Sequence, residues 1–187
     1  MSPLYRPLTT LAHQLLAAHL KPGDIAIDAT AGQGQDTCFL ARLVGEKGQV
    51  WAFDLQDEAC RQTKQRLKEA GLGQQVQLIQ ADHQFLADYI PGFVQAAIFN
   101  LGYLPGGNRQ IITHPHSTLK AVRAALACLA PGGLLIIVAY PGHSGGLEEY
   151  LALRQELSAL PPNFQVEETS LLNKKSGPVL LATQKEK

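Results

Sequence analysis

With 187 residues, 45% of them hydrophobic and 17% charged, the chain is long enough for one domain that buries roughly 70% of its unfolded surface, and too apolar to be disordered. Sixteen basic residues balance sixteen acidic ones, so no global positive field advertises nucleic-acid binding, and an RNA partner needs a local patch. The three cysteines, Cys38, Cys60 and Cys128, are widely spaced inside apolar helical patterns and are expected as reduced core residues. No signal-like N-terminus and no run approaching the roughly 18 apolar residues of a membrane span is present, so the expectation is a cytoplasmic protein without a membrane partner.

Leu11, Leu15, Leu16 and Ala18 recur at helical spacing and predict a helix over Leu8 to Leu20. A Lys21-Pro-Gly-Asp24 turn leads into a first strand, Asp24 to Asp28, whose continuous apolar character suits a central parallel strand. The next residues, up to Thr37, hold glycines two apart and form a strand-to-helix turn before a helix ending near Val44. A second strand spans Gln49 to Leu55, and a helix with Ala59, Cys60, Thr63 and Leu67 on one face spans Gln56 to Ala70, stopped by Gly71. Val76 to Gln80 is a third strand, followed by a short helical stretch to Tyr89, and Gln95 to Phe99 is a fourth. A helix over His116 to Leu129 is closed by Pro131-Gly-Gly133, and Leu134 to Ala139 is a fifth strand rich in branched residues. A loop from Tyr140 to Gly146 and a helix from Leu147 to Leu160 follow. Phe164 to Leu172 and Val179 to Thr183 close the chain as an antiparallel pair around a basic turn.

Strands alternating with helices and closed by a hairpin describe an α/β fold with an open, mostly parallel, seven-stranded sheet and helices on both faces. In such sheets ligands bind beyond the carboxyl ends of the strands, near the point where strand order reverses. The polar constellations of the chain all fall at those ends.

The turn Asp28-Ala-Thr-Ala-Gly-Gln-Gly-Gln-Asp-Thr37 offers close backbone approach and free N–H groups at a helix start, as nucleotide-type cofactors require, although a Gly-x-Gly turn alone is a weak signal. Asp54 closes the second strand about 20 residues further on, where a carboxylate can take both hydroxyls of an adenosine ribose. Asp28 stands where it can accept from a cofactor ammonium directly or through water, Thr37 replaces the third glycine of the dinucleotide fingerprint, and Asp82 is placed to accept from an adenine amino group. A pyrophosphate would meet unfavourable charge among Asp28, Asp36 and Asp54. These features favour S-adenosylmethionine over a nicotinamide dinucleotide. The expected cofactor-binding set is Asp28, Thr30, Ala31, Gly32, Gln33, Gly34, Gln35, Asp36, Thr37, Asp54, Leu55, Gln56, Asp82, His83 and Asn100. Bland readings stand beside it: Asp36 as a first-turn carboxylate favoured by the helix dipole, Asp82 as a helix cap, and His83 as a structural histidine.

Asn100, Leu101, Gly102 and Tyr103, after the fourth strand, are the expected catalytic residues. An amine nucleophile needs acceptors that hold its N–H bonds and aim its lone pair, and the Asn100 side-chain oxygen and Leu101 carbonyl suit that task; orientation and desolvation then carry most of the rate. Substrate contacts are expected from Tyr103, Leu104, Pro105, Arg109 and His143, with Arg109, Lys120, Arg123, Lys174 and Lys175 as candidates for a phosphate-binding rim. His114, His116 and His143 lack a carboxylate or cysteine at matching spacing, so no metal is expected.

The segments 20–32, Ala52-Phe-Asp-Leu-Gln56, Phe99-Asn-Leu-Gly-Tyr-Leu-Pro-Gly-Gly107, Tyr140-Pro-Gly-His143 and Asn173-Lys-Lys-Ser-Gly-Pro178 resemble the rRNA methylase family of small stand-alone class I methyltransferases. The resemblance covers nearly the whole chain, and the Asn100 to Gly107 segment is specific to that family. It implies a Rossmann-like class I methyltransferase fold, S-adenosyl-L-methionine as cofactor, and tRNA as partner, since family members methylate 5-aminomethyl-2-thiouridine at the wobble position. Two departures stand out: the family's Gly-Asn-Gly-His-Asp-Thr is Gly32-Gln-Gly-Gln-Asp-Thr37 here, and its Asp-Ser-His is Ala81-Asp-His83. Methylation of rRNA or of a small-molecule amine, and a nicotinamide oxidoreductase or an inactive nucleotide-binding module, remain open alternatives, as does the oligomeric state, a homodimer included.

Overall fold

The computed structural model describes residues 7–102, 113–174 and 176–187. Seven strands form one sheet in the order β3-β2-β1-β4-β5-β7-β6, with β1 at Ile25–Asp28, β2 at Gln49–Asp54, β3 at Val76–Gln80, β4 at Val94–Asn100, β5 at Leu129–Ala139, β6 at Phe164–Ser170 and β7 at Val179–Lys185. The pairs from β3 to β5 are parallel, and β7 runs antiparallel to both β5 and β6. This is the mostly parallel seven-stranded sheet with a closing hairpin that the alternation of patterns predicts.

The two-residue period of the central strands assigns their side chains to opposite faces. Ala96 and Ile98 of β4 and Ile136 and Val138 of β5 pack with Leu16 of α1 (Leu8–His19), Leu40 and Ala41 of α2 (Gln35–Val44) and Leu67 of α3 (Asp57–Ala70). Ala97, Phe99, Ile137 and Ala139 face the other way, onto Val122 and Ala125 of α4 (Pro115–Cys128) and Leu153 and Leu157 of α5 (Gly146–Ser158). Because both faces are covered, these strands are apolar without alternation, as their sequence is.

Element ends differ from the sequence pattern in one informative place. Pro131-Gly-Gly133 does not separate α4 from a strand starting at Leu134; β5 begins at Leu129, directly after the helix. Leu129 pairs with Val94 and Leu134 with Ala96, so the extra residues bulge out, and Gly132 N–H bonds the Glu186 carbonyl. Breaker residues interrupt a ladder locally when flanking pairs on both sides hold it. The stretch after β3 is a 3-10 turn, His83–Asp88. Cys38 is buried, whereas Cys60 and Cys128 are only half-buried; all three are free thiols, and burial pushes the Cys60 pKa up to about 11. Among the described residues no helix is long and apolar enough to cross a membrane.

Candidate functional site

Strand order reverses between β1 and β4, and beyond their carboxyl ends a cleft of about 540 Å³ opens. Its wall is built from the segments that leave β1 (Ala29 to Gln33, Gln35, Asp36), β2 (Asp54, Leu55, Gln56), β3 (Ala81, Asp82, His83), β4 (Asn100, Leu101, Gly102) and β5 (Tyr140, His143), with Thr113, His114 and Ser117 at the start of α4. This is the position where open α/β sheets hold ligands.

The glycine turn is tied down on every side. Ala31 N–H bonds the Phe53 carbonyl, Gly32 N–H bonds Asp54 Oδ2 at 2.9 Å, the Thr63 hydroxyl donates to the Gly32 carbonyl and Arg66 Nε to the Gln33 carbonyl. Gly34 has φ of 78°, and a Cβ there would lie 2.9 Å from Thr63 Cα, so both conformation and space require glycine. Asp54 accepts the Gln56 N–H on its other oxygen at 2.9 Å. It is thus a clamp between two strand ends that retains further lone pairs toward the cleft.

The structure brings most of the expected cofactor residues to the cleft wall and leaves three off it. Asp28, Gly34 and Thr37 lie behind the wall. Asp28 is fully buried and accepts the Thr30 N–H at 3.1 Å and the Thr37 hydroxyl at 2.5 Å, so a direct bond to a ligand ammonium is replaced by a bond network inside the turn. Burial raises its pKa to about 7, with the neighbouring Asp36 charge adding to the effect. Asp82 has the geometry of a cap: it accepts from the backbone and side-chain nitrogens of Gln84, both at 2.9 Å, while also lining the cleft. His83 Nδ1 lies 3.2 Å from the Ala29 carbonyl and therefore carries the proton, while Nε2 is buried without a partner. Burial holds its pKa below the usual imidazole value, which keeps the ring neutral.

Asn100 sits where β4 ends, and its neighbours hold its amide on both sides. Its N–H bonds the Thr30 hydroxyl at 2.7 Å, its Nδ2 donates to Asp36 Oδ2 at 3.2 Å, and its Oδ1 accepts from the Tyr140 hydroxyl at 3.0 Å. Leu101 N–H bonds the Val138 carbonyl, continuing the β4–β5 ladder into the site. Gly102 has φ of 118°, and a Cβ there would come within 3.3 Å of His143 Nδ1. The His143 ring stacks on Tyr140 with centroids 5.4 Å apart. Of the remaining expected residues, Tyr103, Leu104, Pro105 and Arg109 lie outside the described residues, as does Lys175. Arg123 is committed elsewhere, with its guanidinium paired to Glu156 at 2.7 and 2.6 Å.

Four contributors were missed in the sequence. Tyr140 had a usable signal, because β4 and β5 are parallel neighbours and Asn100 pairs with Val138, two residues short of it. His13 of α1 bonds Asp36 Oδ1 at 2.6 Å across 23 residues, and no local pattern predicts that contact. Thr113 exchanges bonds with Gly102 through its N–H and hydroxyl, and that hydroxyl donates to Glu149 of α5 at 2.8 Å. Glu149 also accepts from Thr118 at 2.6 Å; burial raises its pKa, opposed by those hydroxyl bonds.

Asp36 at the start of α2 and Asp54 at the end of β2 therefore line the cleft, with Asp28 buried behind them, and each oxygen of Asp36 already accepts a bond. Such a site suits a cationic ligand and opposes a pyrophosphate.

Residues 50–185 match the protein family described as "Putative rRNA methylase". Over 184 residues the chain is 37% identical to the chloroplastic tRNA (mnm(5)s(2)U34)-methyltransferase of Arabidopsis thaliana, an alignment that takes in 92% of this chain and 67% of the plant protein. It is similar to a solved structure from Clostridium thermocellum described as a "putative rRNA-methylase", with 37% identity, a TM-score of 0.94, and coverage of 97% of this chain and 98% of the other. It is also similar to a "putative methyltransferase" from Streptococcus mutans solved in complex with SAH (S-adenosylhomocysteine), with 36% identity, a TM-score of 0.88, and coverage of 97% and 99%.

Proposed function

The chain belongs to the rRNA methylase family and is an S-adenosylmethionine-dependent methyltransferase, and from that premise we propose that it methylates RNA, at the aminomethyl nitrogen of 5-aminomethyl-2-thiouridine in the wobble position of tRNA. The observation that carries this reading is the Asn100 amide, held on the cleft wall with its oxygen turned to Tyr140 and its nitrogen to Asp36. An acceptor amine needs a hydrogen-bond acceptor at that point, and the amide oxygen keeps a second lone pair for it. The plant relative's name, which specifies a wobble-uridine methyltransferase, supports the same acceptor.

The residues present fit the cofactor: anionic groups converge on the floor, backbone N–H groups start α2, and Asp54 stands at the end of β2. When bound, S-adenosylmethionine supplies a methyl group on a sulfonium, a good leaving group for attack by a neutral amine. In this assignment Asp54 takes the ribose hydroxyls, Leu55, Gln56, Asp82 and His83 frame the adenine, and Gly32, Gln33 and Gln35 meet the methionine end. Asp28 and Thr37 act from behind, by fixing the turn. Asn100 Oδ1 and the Leu101 carbonyl hold the amine N–H bonds, which leaves the nitrogen lone pair aimed into the cleft. His143, stacked on Tyr140 beside Gly102, offers a flat surface for the acceptor base. Positioning and exclusion of water carry the rate, because a neutral amine needs no strong base before attack.

Mass spectrometry of tRNA nucleosides from strains with and without the gene tests the reading. The aminomethyl precursor should accumulate in the deletion strain, and the wild-type gene should restore the methylated base. Unchanged wobble methylation in a deletion strain that lacks a second such enzyme overturns the tRNA assignment. The balanced net charge keeps a small-molecule amine acceptor as a second reading; absence of tRNA retention in filter binding at low salt would favour it.

A further inference from the structure

We propose that His13 and Asp36 are positioning residues for methyl transfer, and that they act by fixing which end of the Asn100 amide faces the acceptor; the proposal rests on the reading of Asn100 given above. An amide can sit in its site in two orientations related by a half-turn, and only one of them offers oxygen to an amine. Tyr140 alone does not choose between them, because a hydroxyl donates to an amide oxygen and accepts from an amide nitrogen equally well. Asp36 does choose. Its ionised carboxylate only accepts, so the group 3.2 Å from Oδ2 is the amide nitrogen, and the oxygen is turned to the opposite side, where the Tyr140 hydroxyl donates to it at 3.0 Å. In the reverse orientation the amide would present N–H bonds to the N–H bonds of the amine.

The carboxylate itself needs holding, and that is the contribution of α1. His13 Nε2 donates to Asp36 Oδ1 at 2.6 Å, a bond that requires the proton on Nε2 because the carboxylate has none to give. The ring is fixed by stacking on Phe39, with centroids 3.9 Å apart and planes within 7°. Phe39 lies one turn beyond Asp36 on α2, so the ring and the carboxylate it serves ride on the same helix. His13 is not part of the cleft wall, so its influence on the reaction runs through Asp36 and Asn100.

The test is a double-mutant cycle with His13→Leu, Asn100→Ala and the combined variant, with His13→Gln as the conservative replacement, since a glutamine amide places an N–H where Nε2 was. Methylation of tRNA carrying the aminomethyl base is followed for kcat and KM, S-adenosylhomocysteine affinity by calorimetry, and folding by thermal melting. His13→Leu should lower kcat about tenfold, with KM for tRNA and S-adenosylhomocysteine affinity within about twofold of wild type. His13→Gln should recover most of that loss, and His13→Leu should cost nothing further in the Asn100→Ala background. Losses that multiply in the double variant overturn the proposal while leaving the acceptor reading intact, and so does a folded His13→Gln that recovers nothing. A wild-type enzyme inactive on that tRNA, or an Asn100→Ala variant at full kcat, overturns the acceptor reading and the proposal with it.

Discussion

Asp28 shows how a residue type can suit a site and still lie behind its wall. Fully buried, with both oxygens satisfied by Thr30 and Thr37, it links the end of β1 to the first turn of α2. Its raised pKa makes that link pH-sensitive. The native state holds the proton more tightly than the unfolded chain does, so the stabilisation is complete below the unfolded value of 3.8 and is lost as pH rises toward about 7. His83, held below its ordinary 6.5 by burial, contributes the opposite slope, so the comparison must isolate Asp28. The stability of wild type relative to Asp28→Asn should therefore fall between pH 4 and pH 7, by up to about 4 kcal/mol, as measured by urea unfolding at each pH. Equal slopes for the two proteins would show that the carboxyl is not held in this way. Asp54 makes a contrasting case, a carboxylate on the cleft wall that bonds Gly32 and Gln56 and faces the cleft. Asp54→Ala should weaken S-adenosylhomocysteine binding by about a hundredfold or more in calorimetry, the size of two charge-assisted hydrogen bonds of about 1.5 kcal/mol each lost together. A change under threefold would remove Asp54 from the ribose contact.

At the scale of elements, the site depends on helices that the strand-end rule does not mention. Buried Glu149 of α5 takes hydroxyl bonds from both Thr113 and Thr118, and Thr113 in turn bonds the backbone of Gly102. This chain runs from the helix layer to the end of β4. Removing it leaves two hydroxyls without their acceptor, so Glu149→Ala should cost about 2 kcal/mol in urea unfolding, while Glu149→Gln, which keeps one acceptor oxygen, should cost less. Equal costs would mean that the one acceptor oxygen kept by glutamine contributes nothing, and a negligible cost for both that the hydroxyl bonds do not hold the fold. The hairpin makes a similar connection from the other side, because Gly142 in the loop after β5 approaches the turn between β6 and β7 so closely that a Cβ would lie 2.6 Å from the Ser176 carbonyl. The basic turn is thereby seated against the loop that supplies Tyr140 and His143 to the cleft.

For the whole molecule, the sheet order explains why residues from five strand ends share one cleft: β1 and β4 are neighbours although β2 and β3 separate them in the chain, and the reversal between them opens the crevice. The balanced charge bears on the proposed RNA partner. With sixteen cations against sixteen anions and Arg123 tied to Glu156, few phosphates can be neutralised, so tRNA affinity should fall with salt on a logarithmic slope shallower than about 4. A steeper slope in filter-binding titrations would reveal a basic surface larger than this reading allows. The sequence by itself determined the α/β class, the parallel core with its closing hairpin, and the glycine turn, Asp54 and Asn100 as neighbours of one cleft. Those features are written in short-range periods and in spacings that the strand-end rule converts into position. Only the tertiary structure decided that Asp28 stands behind the wall, that β5 carries Pro131 within it, and that His13, Tyr140 and Glu149 belong to the site. Each of these is settled by contacts between segments distant in the chain: desolvation by surrounding layers, flanking ladder pairs that hold a bulge, and hydrogen bonds spanning 23 to 40 residues. Local pattern carries no record of such contacts, because the energies that create them arise only when the layers pack.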